Sequence, residues 1–345
     1  MQISRCVFSS SAAIGERRTF VSVCGEAVVD GCEFSNASSA VAVDLGISVT
    51  VRKCRFGPEV SVGVFVDEGA AAEVEDCTFD SCEQAVFAHA GSAVALRDCV
   101  CKNSHEGIRA EDVRSLTATR FTVRSGGTGV MVACLSGKPA AVTLVDCRVF
   151  ASSGVILGHV GVTASILRCE IAGDDMGVVL LGSCVLTMRH SSVRRFQCGV
   201  LVGYATDEMI DPGCPVCGFG GPAAQQAAYT ALLKWQGRQP EGARCTHEGA
   251  VARATLENVD VRGCTDTGVM VNVGGHMVAE QLRVANSFLR VLRVGEKSRF
   301  EDCSVTRPWD FGSAWHKQPH HAFTDEHLPG VGALTCGHTC GPRWP

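Results

Sequence analysis

Cysteines recur at Cys32, Cys54, Cys77, Cys99, Cys147 and Cys169, with gaps of 22, 23 and 22 residues, a double step of 48, and 22 again. Each sits in the same short phrase, as in Val51-Arg-Lys-Cys54-Arg-Phe56 and Val74-Glu-Asp-Cys77-Thr-Phe79. About eight residues on, a second phrase returns: Gly63-Val-Phe-Val66, Ala85-Val-Phe-Ala88, Gly107-Ile-Arg-Ala110, Gly129-Val-Met-Val132, Gly154-Val-Ile-Leu157, Gly177-Val-Val-Leu180 and Gly199-Val-Leu-Val202. A fixed period in the low twenties makes each repeat one structural unit that buries its apolar side on its neighbours, which is a solenoid.

The units read as strands. Apolar and polar residues alternate over segments of three to five Val-rich residues, too short for helices. Three short parallel strands per turn give an all-β, single-stranded right-handed parallel β-helix of roughly twelve coils. At ~4.8 Å per coil the rod is roughly 50–60 Å long. Arg120-Phe-Thr-Val123 supplies the member missing from the cysteine series, and His190, Asn258, Gln281 and Cys303 are read as keeping the register after one interruption. This divides the chain into the first part of the helix (1–202), an insertion (203–250), the last coils (251–305) and an irregular, aromatic- and His-rich C-terminal cap (306–345).

The phrase Val-x-x-Cys-x-Phe-x-x-(Cys/Ser)-x-x-Gly-Val-x-Val resembles the pectate-lyase-like right-handed parallel β-helix repeat over about residues 1–305. That family usually stacks Asn at the bend where most coils here place Cys. The resemblance implies the fold. The repeat serves polysaccharide lyases and hydrolases, viral fibres and F-box-associated adaptors alike, so function must be argued from the site.

Composition narrows the classes. A charge of −5 and a pI near 6.1, with no basic stripe, leave no nucleic-acid footprint. No run approaches 18 uninterrupted apolar residues, so no membrane span is expected. The opening Met1-Gln-Ile-Ser-Arg-Cys-Val-Phe8 already reads as a coil phrase and lacks the apolar core of a secretion signal. The twenty cysteines are accordingly expected to be reduced, buried and cytoplasmic, acting as small apolar core residues. An uncapped N-terminal end would expose unpaired backbone to a neighbouring domain or a partner chain.

Three groups of residues are candidates for function. In each Gly-Val-x-Val strand the valines point inward and x outward, so the outer row is Phe65, Phe87, Arg109, Met131, Ile156, Val179, Leu201 and Met270. Seven of these eight are apolar, which implies a cover: the short amphipathic helix at 223–235 within the insertion, or a protein partner. Two residues further along, Asp67, His89 and Glu111 stack on neighbouring coils. They are the only outward patch with acid–base chemistry, and Asp67 and Glu111 are expected about 10 Å apart, just beyond the inverting-glycosidase range. In the insertion, Cys214, Cys217, Cys245 and His247 form the ligand set of a structural zinc site that would pin the loop. A rival set is Cys336 with Cys340, alone or joined to Cys214 and Cys217. Ala172-Gly-Asp174-Asp175 matches a polygalacturonase phrase but lacks its companion phrases on both neighbouring coils.

The expectation is a non-catalytic scaffold that binds a protein through the apolar outer row or at its N-terminal end. No cofactor is required, and a structural zinc in the insertion is the one candidate metal. The alternatives are a carbohydrate-active enzyme at Asp67, His89 and Glu111, or a structural fibre protein.

Overall fold

In a computed structural model, residues 1–10, 19–134, 136–203, 252–271, 275–285, 288–291 and 299–306 are described. The insertion at 203–250 (beyond Gly203), its helix and zinc ligands, and the 306–345 cap (beyond Thr306) lie outside them, as does the Cys336/Cys340 set.

Every strand pairing is parallel, and each joins a strand to its counterpart in the adjacent coil. Three rows of strands run the length of a right-handed solenoid of about 10 turns. One row runs from Gln2–Ser4 to Arg299–Glu301, a second from Val7–Ser9 to Ser304–Thr306, and the third from Thr19–Val23 to Phe288–Val291. In the middle coils the last two rows merge into long bent strands such as Val100–Glu111 and Thr122–Cys134.

The bend between the first and second rows explains the cysteine register. The residue just before each ladder position takes a left-handed backbone: Lys53 (φ 53°), Asp76 (52°), Asp98 (55°), Asp146 (55°) and Arg168 (52°), with Gly31 (63°) where no side chain is needed. That conformation costs about 1–2 kcal/mol for a residue with a Cβ. It is offset because backbone pairing continues through the bend. Asp76 N donates to the Arg97 carbonyl at 3.0 Å, and Val100 N donates to the Cys77 carbonyl at 2.9 Å.

The ladder thiol then turns inward and points its S–H between two carbonyls. Cys77 Sγ donates toward Glu75 O (3.3 Å) and Val51 O (3.6 Å), and Cys99 toward Arg97 O (3.2 Å) and Val74 O (3.5 Å). Ser191 takes the same place with a hydroxyl, donating to Arg189 O at 2.7 Å and accepting from Cys169 N at 3.0 Å.

This geometry corrects the register assigned to the later coils. His190, Asn258 and Gln281 hold the left-handed position, with φ of 49°, 51° and 55°. The inward ladder residues beside them are Ser191, Val259 and Leu282, each at most 5% exposed. The polar residues belong on the convex side of the bend, where Asn258 Nδ2 and His190 Nδ1 are 2.9 Å apart. On the same side Arg168 Nε donates to Asp146 Oδ1 at 2.7 Å, and its guanidinium holds the Asp146 carboxyl below the usual carboxylate range.

Inside, like stacks on like. Phe8, Phe34, Phe56 and Phe79 form a column with ring centroids 5.0, 5.2 and 4.6 Å apart and planes within 9° of parallel. The glycine of the Gly-Val-x-Val phrase is set by close approach. A Cβ on Gly177 would stand 2.1 Å from the Gly199 carbonyl, and one on Gly107 would stand 2.3 Å from that of Gly129. By contrast, a Cβ on Gly126 would meet nothing within 4 Å. Gly177→Ala is therefore expected to cost about 1–3 kcal/mol through overpacking, and Gly126→Ala to be near neutral, as read from urea midpoints. Equal midpoints for the two variants would contradict this packing.

The fifteen described cysteines are all free thiols, and thirteen of them are buried. Burial pushes Cys82 and Cys184 up to about 12, and Cys101 and Cys134 up to about 11, from an ordinary value of 9.0. A raised thiol pKa means that the folded state favours the neutral form. The stabilisation is complete below pH 9 and is lost as the pH rises through the folded values, because the unfolded chain ionises first. Stability should thus fall between about pH 9 and 11 by roughly 1.4 kcal/mol per thiol per pH unit. Urea midpoints in reductant at pH 7.5 and 10, with Cys184→Val as the comparison, measure this; a variant that falls as steeply as the parent excludes the thiol origin.

Candidate functional site: the outer face of the third strand row

The third row has two faces, and its pattern assigns each residue to one of them. Val64, Val66, Val86, Ala88, Ile108 and Ala110 point inward and are fully buried. Ala42, Phe65, Phe87, Arg109, Met131 and Ile156 pair coil by coil on the outer side, and Val179, Leu201 and Met270 continue the row. This is the outer row anticipated from the sequence.

Its two halves differ. From Met131 onward the row is closed: Met131, Ile156, Val179, Leu201 and Met270 are 0–5% exposed. With Met176, Leu181 and Cys198 they form a second apolar layer distinct from the interior core. These five side chains are packed within the folded chain. Phe65, Phe87 and Arg109 are only half-buried.

In this open half the rings of Phe65 and Phe87 meet edge-on at 5.5 Å. The Arg109 guanidinium lies over Phe87, 5.4 Å from its centroid, and Phe87 meets the His89 ring edge-on at 6.3 Å. Arg109 is also the ion-pair partner of Glu111: its Nε and Nη2 donate to Glu111 Oε1 at 3.0 and 2.9 Å. The pair is about 80% buried on each side, so solvent screens it less than an exposed pair.

Asp67, His89 and Glu111 occupy successive coils, as read from the sequence. His89 N donates to the Val66 carbonyl (2.8 Å), which sets His89 beside Asp67, and the pairing of Ala88 with Ala110 sets Glu111 in the next coil. Their chemistry is largely committed. Asp67 Oδ1 accepts the Glu68 amide at 2.7 Å, a local turn bond, and Glu111 carries Arg109. Sequence reasoning missed Glu106, 8% exposed on the same outer face, whose Oε2 accepts from Gln84 Nε2 at 2.8 Å. The signal was available: Gln84 and Glu106 stand at the same position in adjacent phrases, three residues before Phe87 and Arg109.

Other candidates dissolve into structure. Asp174 and Asp175 form a bend whose carbonyls accept from Gln197 N (2.9 Å) and Cys198 N (3.0 Å) of the next coil, and burial alone raises the Asp175 carboxyl. A groove along the bend, lined by Arg168, His190 and Asn258 among others, holds its charges in pairs such as Arg168–Asp146 and Arg194–Glu170. Among the described residues no group of three or more His, Cys, Asp or Glu side chains could hold a metal ion. No helix among them is long and apolar enough to cross a membrane.

A family model described as "Right handed beta helix region" matches residues 1–156 and 62–211. The chain belongs to the right-handed β-helix family. No curated protein and no solved structure matches it. Membership fixes the coil and its rows and leaves the outward residues as the place where this β-helix differs in function from others.

Thiol accessibility tests the placement of the cysteines in this β-helix. Cys24 is exposed beside Asp44, whose carboxylate hydrogen bond (2.9 Å) raises its pKa. Under native conditions, among the described cysteines, iodoacetamide should label Cys24 and Cys6 ahead of all the buried thiols. The ladder thiols should react only after urea is added, as peptide mass mapping would read; early labelling of Cys77 or Cys99 would contradict their burial.

Proposed function

We propose that this β-helix is a non-catalytic recognition module that binds an extended segment of a protein partner on the open half of its outer row. The supporting observation is the pair Phe65 and Phe87, half-buried aromatics on the outer side that meet edge-on on a parallel sheet. Aromatic side chains lose little conformational freedom on contact, and a sheet that repeats by translation offers one similar contact per coil, which suits an extended ligand.

The acids beside the row support binding over catalysis. General acid–base chemistry needs one carboxyl free to give a proton and another free to take one. Glu111 is ion-paired to Arg109, Asp67 is engaged by its own turn, and Glu106 holds Gln84. Free thiols at every described cysteine suit a reducing, cytoplasmic setting, and that location belongs to the same proposal.

The test compares wild type with Phe87→Ala and with the double variant Asp67→Asn, Glu111→Gln in two assays. In partner capture, Phe87→Ala should weaken retention about tenfold, as expected for loss of a central aromatic contact. In a panel of plant and microbial polysaccharides none should be cleaved. Cleavage by wild type that the double variant loses would replace recognition with a carbohydrate-active reading.

A further inference from the structure

We infer that the segment bound by this face is basic, an extended peptide carrying arginine or lysine. The inference rests on the recognition reading and adds the chemistry of the partner. The floor is Ala42, Phe65, Phe87 and Arg109 in four successive coils. That run covers three coil steps, roughly 14 Å, the length of about four extended residues.

Acids line both sides of this floor. Toward the end of the strands lie Asp44, Asp67, Glu68, Glu111 and Asp112, all half-buried or exposed. At the entry to the strands lie exposed Glu59 and Glu83, with Glu106 just inside. The cation on the floor, Arg109, is bound to Glu111, so it offsets one acid of that series and leaves the face negative.

Arg109 also demonstrates the contact expected of a ligand. A guanidinium already lies on one ring of the aromatic pair, with its donors turned to the carboxylate rim. Phe65 offers a second, half-buried ring of the same kind, and its neighbour in the preceding coil is the small Ala42. An arginine on Phe65 would place its charge between Asp44 and Asp67 and gain both a ring contact and a carboxylate. An acidic peptide would meet carboxylates on both sides of the floor.

The test is fluorescence anisotropy with a labelled, end-blocked hexapeptide alternating arginine and leucine, beside versions with glutamine or glutamate in place of arginine. The proteins are wild type, Phe65→Ala, Asp67→Asn and the remote control Glu301→Gln, each checked by its thermal transition. The arginine peptide should bind, and raising the salt from about 50 to about 300 mM should weaken it several-fold. Phe65→Ala should weaken it about tenfold and Asp67→Asn about threefold, with Glu301→Gln unchanged. If the glutamine peptide binds as tightly and Phe65→Ala still abolishes it, the basic partner is overturned and the recognition face stands. Arginine-peptide binding indifferent to both Phe65→Ala and Asp67→Asn places the site elsewhere and overturns the inference. Failure of folded wild type to bind any of the three peptides also overturns it, and the recognition reading is then decided by the Phe87→Ala capture.

Discussion

Translation by one strand spacing governs this molecule. When each coil lies roughly 4.8 Å above the last, every inward side chain has the same position of the next coil as its nearest neighbour. A residue type can persist along the rod only if it packs against itself. Phenyl rings do so by near-parallel stacking, as in the column from Phe8 to Phe79. Thiols do so because one small, weakly polar group meets two carbonyls without demanding more. The left-handed residue at each bend is tolerated for the same reason: its amide and the carbonyl beyond it are satisfied by adjacent coils, so the strain is shared with a ladder that never breaks.

The ladder accepts more than cysteine. Ser191 reproduces the thiol's bonds with a hydroxyl, while Phe121, Val259 and Leu282 fill the space and forgo them. What is fixed at this position is inward direction and volume. What is fixed one residue earlier is a left-handed backbone, supplied here by Asp, Arg, Lys, His, Asn, Gln or Gly. Most of these are polar and all stand on the convex side, where they pair along the axis, as Arg168 does with Asp146.

That distinction shows how far the sequence could be read. The cysteine gaps and the Gly-Val-x-Val phrase carried the period, the strand rows and the inward–outward alternation, because each follows from local pattern. The register slipped by one in three later coils, one before the insertion and two after it, since His190, Asn258 and Gln281 look like members of a polar ladder when only the alignment of phrases is available. The apolar outer row was also legible. Its division was not: Met131 and Phe87 are equivalent in pattern, yet one is 3% exposed and the other half-buried. On the outer side Met131 joins Met176, Leu181 and Cys198 in one apolar layer, a grouping that the repeat phrase alone does not encode. The Arg109–Glu111 pair lay within reach, because residues two apart on a strand share a face. Reading Asp67, His89 and Glu111 down the axis hid the partner lying along the strand.

The two faces of one strand therefore carry separate obligations. Inward Val and Gly are tied to the coils above and below, and a Cβ at Gly177 would collide with the next carbonyl. Outward residues in the open half meet their stack neighbours and groups along their own strand, as Arg109 meets Glu111 and Phe87 meets His89, and they point away from the core that positions them. Such a surface is stiff, and it offers a ligand contacts whose spacing is set by the backbone repeat. An extended peptide fits that spacing only approximately, because its same-side residues recur at about 6.6–7 Å and not at ~4.8 Å. Contacts that tolerate a sliding register, such as a cation over a ring or a carboxylate rim, are then more useful than shape-matched pockets. The aromatic pair bordered by acids is a surface of that kind.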